Sequence, residues 1–262
     1  MDVPIRILGI ATTIFWIILA AFLASAAYSL KELSFAVGQP KFSATSSHDL
    51  VVTLPLFIDN RGYDDLSNFN LTTVFSNAED VEISRASSFL PTIPSGKNTS
   101  ILHNTTLSLD SMAEHTSQYL FEDANLTCQV TAGLNFAEIV PAHLSANVTF
   151  PWGAPLYNFK LGGPQISGSN PTYFAAKVPL SFENHAAFDL SGNATVKLFT
   201  GQDTFLAESQ TAINGANHTR YSGSLSFSVP ASAVSTGSLS GHFEVYFSTT
   251  MFDYGPVVIP YG

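Results

Sequence analysis

Shifted by 124 residues, the sequence falls on itself: FAVGQPKFS (Phe35–Ser43) meets FKLGGPQIS (Phe159–Ser167), and LPLFIDN (Leu54–Asn60) meets VPLSFEN (Val178–Asn184). Ten of the 33 gap-free positions from Phe35 to Ser67 are identical, among them Gly38/Gly162, Pro40/Pro164, Pro55/Pro179, Asn60/Asn184 and Asp65/Asp189. Further on the shift falls to about 119, pairing SGKNTS (Ser95–Ser100) with NGANHT (Asn214–Thr219). It ends at 109, pairing Phe150–Gly153 with Ile259–Gly262. A self-match of this kind predicts one folding unit used twice. The expected division is residues 33–153 and 156–262, behind an N-terminal segment of residues 1–32.

Within the copies the hydrophobic period is two. Leu50, Val52, Leu54, Leu56 and Ile58 share a phase, Leu225, Phe227 and Val229 alternate with serines, and Phe243, Val245 and Phe247 alternate with polar residues. Short strands between Gly, Pro, Asn and Ser turns predict antiparallel β-sandwiches. Pro55 and Pro179, inside strong strand patterns, predict an edge or a bulge, because proline donates nothing to a ladder. Copy one is longer between Leu109 and Leu126. There the capping-box spacing of Ser111 and Glu114, with Met112, Tyr119 and Leu120 at helical intervals, predicts a helix of about three turns. Copy two has Ser228–Ala233 in that place, which predicts one turn or less.

The repeated pattern resembles the late embryogenesis abundant (LEA) type 2, or WHy, domain. In that family an apolar strand ends in Asn and a turn before an apolar–polar strand, as in LPLFIDNRGYDDLSNFNLTTVF here. A short helix follows, and a strand ending in Pro and Gly closes the unit, as in NVTFPWG. Both copies depart from the Asn-Pro turn common in plant members, having Asn60-Arg61 and Asn184-His185. The resemblance implies an immunoglobulin-like sandwich, often membrane-tethered, with no catalytic residues to carry over. The expected fold is all-β: two tandem immunoglobulin-like antiparallel β-sandwiches, a short helix in the first, and one N-terminal transmembrane helix before them.

That helix is expected at Ile7–Leu30, an uncharged run of 24 residues that spans roughly 36 Å as a helix, against a hydrocarbon core of about 30 Å. A cleavable signal peptide ending at Ala24-Ser25-Ala26 is the rival reading. Either one exports the rest of the chain. Glycosylation sequons agree: Asn70, Asn98, Asn104, Asn125, Asn147, Asn193 and Asn217 each begin an Asn-x-Ser/Thr, where composition alone predicts about three. Asn70 and Asn147 share strand phases with Thr72 and Thr149, which places both toward solvent.

Charged residues are 11% of the chain and aromatic residues 12%, which excludes a solvated disordered polymer. The net charge of −10 argues against nucleic acid as a partner. Residues 33–153 carry four basic and twelve acidic side chains, net −8, and residues 156–262 carry four and six, net −2. A membrane-proximal copy of that charge stands off an anionic lipid surface. The lone Cys128 sits in a strand pattern as a small buried apolar residue. Seven scattered histidines read as surface residues, and no nucleophile elbow or phosphate loop is present: GSLSG (Gly237–Gly241) has Leu239 where the nucleophile would stand. Asp59, Asp64 and Asp65 cluster in the turn after the Leu50–Ile58 strand. They are a candidate calcium site, set against a solvated turn in which Asp65 and Asp189 hold the backbone.

The functional expectation is a non-enzymatic, single-pass membrane protein with its C-terminal domains outside the cytoplasm, acting without a cofactor as a binding or structural module. Its expected partners are the membrane through residues 7–30 and a protein or a second copy of itself. Two alternatives stand beside it. In one, the N-terminal helix packs into a filament or membrane complex through Ala20/Ala24 or Ala21/Ser25; in the other, the Phe-rich sandwiches hold lipid.

Overall fold

A computed structural model describes residues 3–45, 48–115, 117–136, 138–169, 172–231 and 240–262, except for the side chains of residues 3–12, 30, 114 and 115. Most of the chain is antiparallel strand. Helix α1 (Val3–Lys31) leads with almost no linker into β1 (Leu33–Val37), β2 (Lys41–Ala44), β3 (Asp49–Asn60), β4 (Leu66–Ser76), β5 (Glu82–Ile93) and β6 (Lys97–Ser108). Helices α2 (Leu109–His115) and α3 (Gln118–Phe121) follow, then β7 (Ala124–Phe136) and β8 (Val140–Trp152). The second half comprises β9 (Tyr157–Leu161), β10 (Gln165–Ser169), β11 (Tyr173–Asn184), β12 (Leu190–Thr200), β13 (Phe205–Gly215), β14 (Thr219–Pro230), β15 (Gly241–Thr249) and β16 (Asp253–Tyr261). The expected membrane span includes side chains outside the described residues, and among the described residues no helix is long and apolar enough to cross a membrane.

The strands form four sheets of four, and the second half repeats the pairing of the first. In the first half β3 pairs with β1 and β2 on one side and with β6 on the other, while β5-β4-β7-β8 make the second sheet. In the second half β11 pairs with β9, β10 and β14, beside β13-β12-β15-β16. The sheets bury side chains between them: one cluster runs through both halves, joining Leu50, Val52, Phe75, Leu126 and Cys128 to Val178, Phe182, Val196 and Val245, and a second, with Leu56, Ile58, Phe69 and Phe136, lies within the first half. Each buried Phe or Leu contributes about 1.5–3 kcal/mol relative to exposure. The period-two phases hold, since Leu50, Val52, Leu56 and Ile58 are buried and Leu54 half-buried.

The repeated residues are explained by this topology. Pro55 and Pro179 lie neither at an edge nor in a bulge, as the sequence suggested. Each sits in a central strand where its neighbour is interrupted: β1 pairs with Leu56–Asn60 and β2 with Leu50–Thr53, leaving Pro55 in the gap. Gly38 N–H donates to the Pro55 carbonyl (2.7 Å) and Gly162 N–H to that of Pro179 (2.8 Å). A Cβ on Gly38 would stand 3.1 Å from Pro55, and one on Gly162 only 2.6 Å from Pro179. The Gly-x-Pro repeat is therefore the crossing point of a split edge strand. Asn60 and Asn184, both fully buried, clamp the following turn. Asn60 donates to the carbonyls of Asp64 (3.0 Å) and Ile93 (3.2 Å) and accepts from Gly62 N–H (3.2 Å). Asn184 does the same with Phe188 (2.9 Å), Gly215 (2.9 Å) and Ala186 (3.0 Å).

Two sequence expectations change. The turn before β6 matches its counterpart at a shift of 122, not 119: Asp65 accepts from Ser95 N–H (2.7 Å) and Asp189 from Asn217 N–H (2.9 Å), and Gly96 and His218 share a positive φ. Small polar turn residues match one another at several offsets, so composition misplaced the register by three. The single three-turn helix is instead α2 of seven residues and α3 of four. Ser108, the last residue of β6, caps it by accepting from Ser111 N–H (3.3 Å), which starts the helix three residues before the expected cap. The Glu114 side chain lies outside the described residues. In the second half β14 runs through Pro230, and the expected turn at Ser232-Ala233, like most of GSLSG (residues 237–239), lies outside the described residues.

Candidate functional site

Two places hold side-chain networks that the halves do not share: the foot of α1 and the joint between the halves. At the foot, Ser25 Oγ and Ser29 Oγ donate to Asp64 Oδ2 (3.0 and 3.2 Å), and Tyr63 N–H donates to Ser29 Oγ (3.1 Å). Tyr28 stacks on Tyr63 with centroids 4.8 Å apart, and Ser29 is fully buried. The acidic turn is thus a socket for the helix. Its carboxylates do not converge as a calcium site requires, because Asp59 pairs with Arg61 (2.7 Å), Asp64 with α1 and Asp65 with Ser95. Among the described residues no group of three or more His, Cys, Asp or Glu side chains could hold a metal ion.

The joint is built by the helical insertion of the first half. Leu156 N–H donates to the Leu120 carbonyl (2.8 Å), Trp152 Nε1–H to that of Tyr119 (2.8 Å), and Asp253 N–H to Asp110 Oδ1 (3.0 Å). Phe121 meets Phe159 and Tyr254 at 6.1 and 5.9 Å between centroids. Asp123 receives Ala154 N–H (2.9 Å) and binds His185 Nδ1 (2.7 Å), whose ring stacks on Tyr157 at 4.1 Å. The carbonyl of His185 lies where a Cβ on Gly153 would stand, so the connection requires glycine there. Beside this joint opens a cleft of about 960 Å³ lined by Phe42, Phe150, Trp152, Ala186, Phe188 and the Asp123–His185 pair, with Asn125 and His218 also in its walls. Sequence reasoning missed the Asp123–His185 pair. Its one trace was the exchange of Arg61 for His185 after the repeated Asn.

Not every histidine is a surface residue. His103 is 1% exposed and bonds Thr73 Oγ1 (2.8 Å) and Ser88 Oγ (2.8 Å) between the two sheets of the first half. Burial pushes its imidazole below the usual value of about 6.5, whereas the bond to Asp123, with Glu183 behind it, raises that of His185. The consequences have opposite sign. As pH falls below about 6.5 the unfolded chain takes up a proton that folded His103 refuses, and the first half loses stability. The contribution of His185 is complete below about 6.5 and is lost as pH rises through its raised value. Relative to the intrinsic exchange rate at each pH, protection in the full chain is expected to fall in β3–β6 between pH 7 and 5, and to fall around Ala154–Tyr157 on the alkaline side. Protection in β3–β6 that ignores acid would contradict the neutral buried state of His103. Cys128 is a free buried thiol whose pKa burial raises.

All seven sequon asparagines are exposed, on β4, β6, β7, β8 and β12 and in the turn before β14. The three asparagines buried among the described residues, Asn60, Asn77 and Asn184, begin no sequon. Side-chain accessibility is what an oligosaccharide requires.

No protein-family model matches the chain, and no curated protein matches it in sequence. Solved structures match weakly. One, named for the ApaA protein of Bordetella pertussis, is 13% identical over 47% of this chain and 94% of its own, at a TM-score of 0.32. Red sea bream transglutaminase is 17% identical over 87% of this chain and 31% of its own, at 0.30. The periplasmic chaperone SfaE is 10% identical over 87% and 98%, at 0.28.

Proposed function

We propose that this chain is a single-pass, N-terminally anchored protein whose two tandem immunoglobulin-like sandwiches stand outside the cytoplasm as a non-enzymatic binding or structural module, in the manner of LEA type 2 domains. One observation carries the reading: the last turn of α1 is bound to the first half through Asp64, Tyr63 and the buried Ser29. Removal of a leader at Ala24–Ala26 would take Ser25 away and cut the helix just before the contacts of Tyr28 and Ser29. The junction therefore favours a retained helix over a discarded one. The exposure of all seven sequons supports export, and the −8 charge of the first half suits a posture away from an anionic bilayer. The residues that the copies share serve turns and strand gaps, which suits a module without catalytic chemistry.

Sidedness tests this directly. Protease added to intact cells is expected to digest residues 33–262 while sparing a membrane-embedded fragment that contains residues 7–30. Digestion only after the membrane is permeabilised would refute the external placement. Release of the full chain by alkaline carbonate would refute the anchor.

A further inference from the structure

The halves diverge also along β8. It runs 13 residues where β16 runs nine, and among the described residues it ends its sheet, paired with β7 alone. Pairing with Leu134, Cys128 and Leu126, all buried, puts Ala142, Val148 and Phe150 in the inward phase, together with Leu144 and Ala146. Yet Leu144 is 66% and Val148 53% exposed. On the opposite wall Phe35 and Val37 of β1, which pair with buried Ile58 and Leu56, are 43% and 62% exposed. In the second half the matching Phe159, Leu161 and Val257 are half-buried and pack on the core, although Ile166, in the place of Phe42, is exposed. The first half therefore keeps an open apolar flank between β1 and β8, closed at one end where Phe42 meets Phe150 at 6.2 Å.

Two observations say what fits there. The free edge of β8 presents backbone N–H and C=O groups that a strand satisfies and an acyl chain does not. Charge decides between strands: Ile139–Trp152 contains no Asp, Glu, Lys or Arg, while Glu138 precedes it and Glu122 and Asp123 lie beside its other end. A second copy would bring net −8 against −8. We propose that this flank binds an extended partner segment, apolar at alternate positions and basic at both ends, added as a strand to β8. The proposal rests on the binding-module reading and gives that module its site.

The test uses the full chain in detergent micelles and a labelled peptide of alternating Val and Thr with Lys at each end, followed by fluorescence anisotropy. The peptide is expected to bind. Val148→Lys and Val37→Lys, one on each wall and both at exposed positions, should each weaken it about tenfold or more. Leu102→Lys, equally exposed on the outer face of the β3 sheet, should not. The same peptide with Pro for Thr should fail to bind, because it cannot pair. Equal binding of the Pro peptide, or equal loss with Leu102→Lys, would overturn the proposal. So would tighter binding of a peptide with the sequence of residues 140–152, which would make a second copy the occupant. If dodecanoate alone binds and Val148→Lys abolishes it, the strand is refuted while the binding-module reading stands. If no probe depends on Val148, the flank is refuted as a site, and the reading is left to the cleft, where Phe188→Lys reads it.

Discussion

Replacing Asn184 by alanine is expected to destabilise the second half by about 3–5 kcal/mol. Three buried groups lose their partner at once: the carbonyls of Phe188 and Gly215 and the N–H of Ala186. Each orphaned group costs about 1–3 kcal/mol, and part of the sum is recovered by water entering the turn. Asn60→Ala should cost a similar amount in the first half, through Asp64, Ile93 and Gly62. Hydrogen exchange on the full chain separates the two. Asn184→Ala should loosen β11–β14 and Asn60→Ala should loosen β3–β6, each leaving the other half protected. A cost under about 1 kcal/mol, or loosening spread evenly over both halves, would contradict the assignment of one clamp to each unit.

Trp152→Ala is the second large effect, at about 3–5 kcal/mol for loss of a buried aromatic side chain. Trp152 is 4% exposed, its ring lies 6.4 Å from that of Phe188 across the joint, and its indole N–H holds the Tyr119 carbonyl. Its removal enlarges the cleft and frees α3 as well. The connection at Gly153–Leu156 should then become a preferred site for limited proteolysis, giving two fragments near the halves. An intact connection, with a stability loss below about 1 kcal/mol, would contradict the joint as described.

These residues also mark how far the sequence could be read. Strand phases were legible because burial acts on every second residue, and Leu225, Phe227 and Val229 obey it without exception. The repeat was legible because Gly38, Pro55 and Asn60 each meet a backbone demand that few residue types can fill. The role of Pro55 was not legible. A gap in a neighbouring strand is a tertiary fact, and locally it looks like an edge. The start of the insertion helix was misread because Ser108 and Ser111 both offer a hydroxyl, and only the end of β6 decides which one caps. The acidic turn left a calcium site open beside a turn held by Asp65, because spacing along the chain says nothing about direction. Asp59, Asp64 and Asp65 turn to three different partners. The Asp123–His185 joint joins residues 62 apart with no local pattern at all.

What the halves share therefore builds them, and what they do not share, namely the socket of α1, the insertion helices and the open flank of β8, carries the proposed work. The most direct test of the anchored, exported reading is the intact mass of the chain purified from membranes, before and after peptide N-glycosidase. The expected mass exceeds that of the 28.1 kDa polypeptide. Glycosidase should then return it to that of the chain with residues 1–32 still attached, with sugar mapped to some or all of the seven sequons. An unmodified mass, or a polypeptide that begins after Ala26, would contradict it.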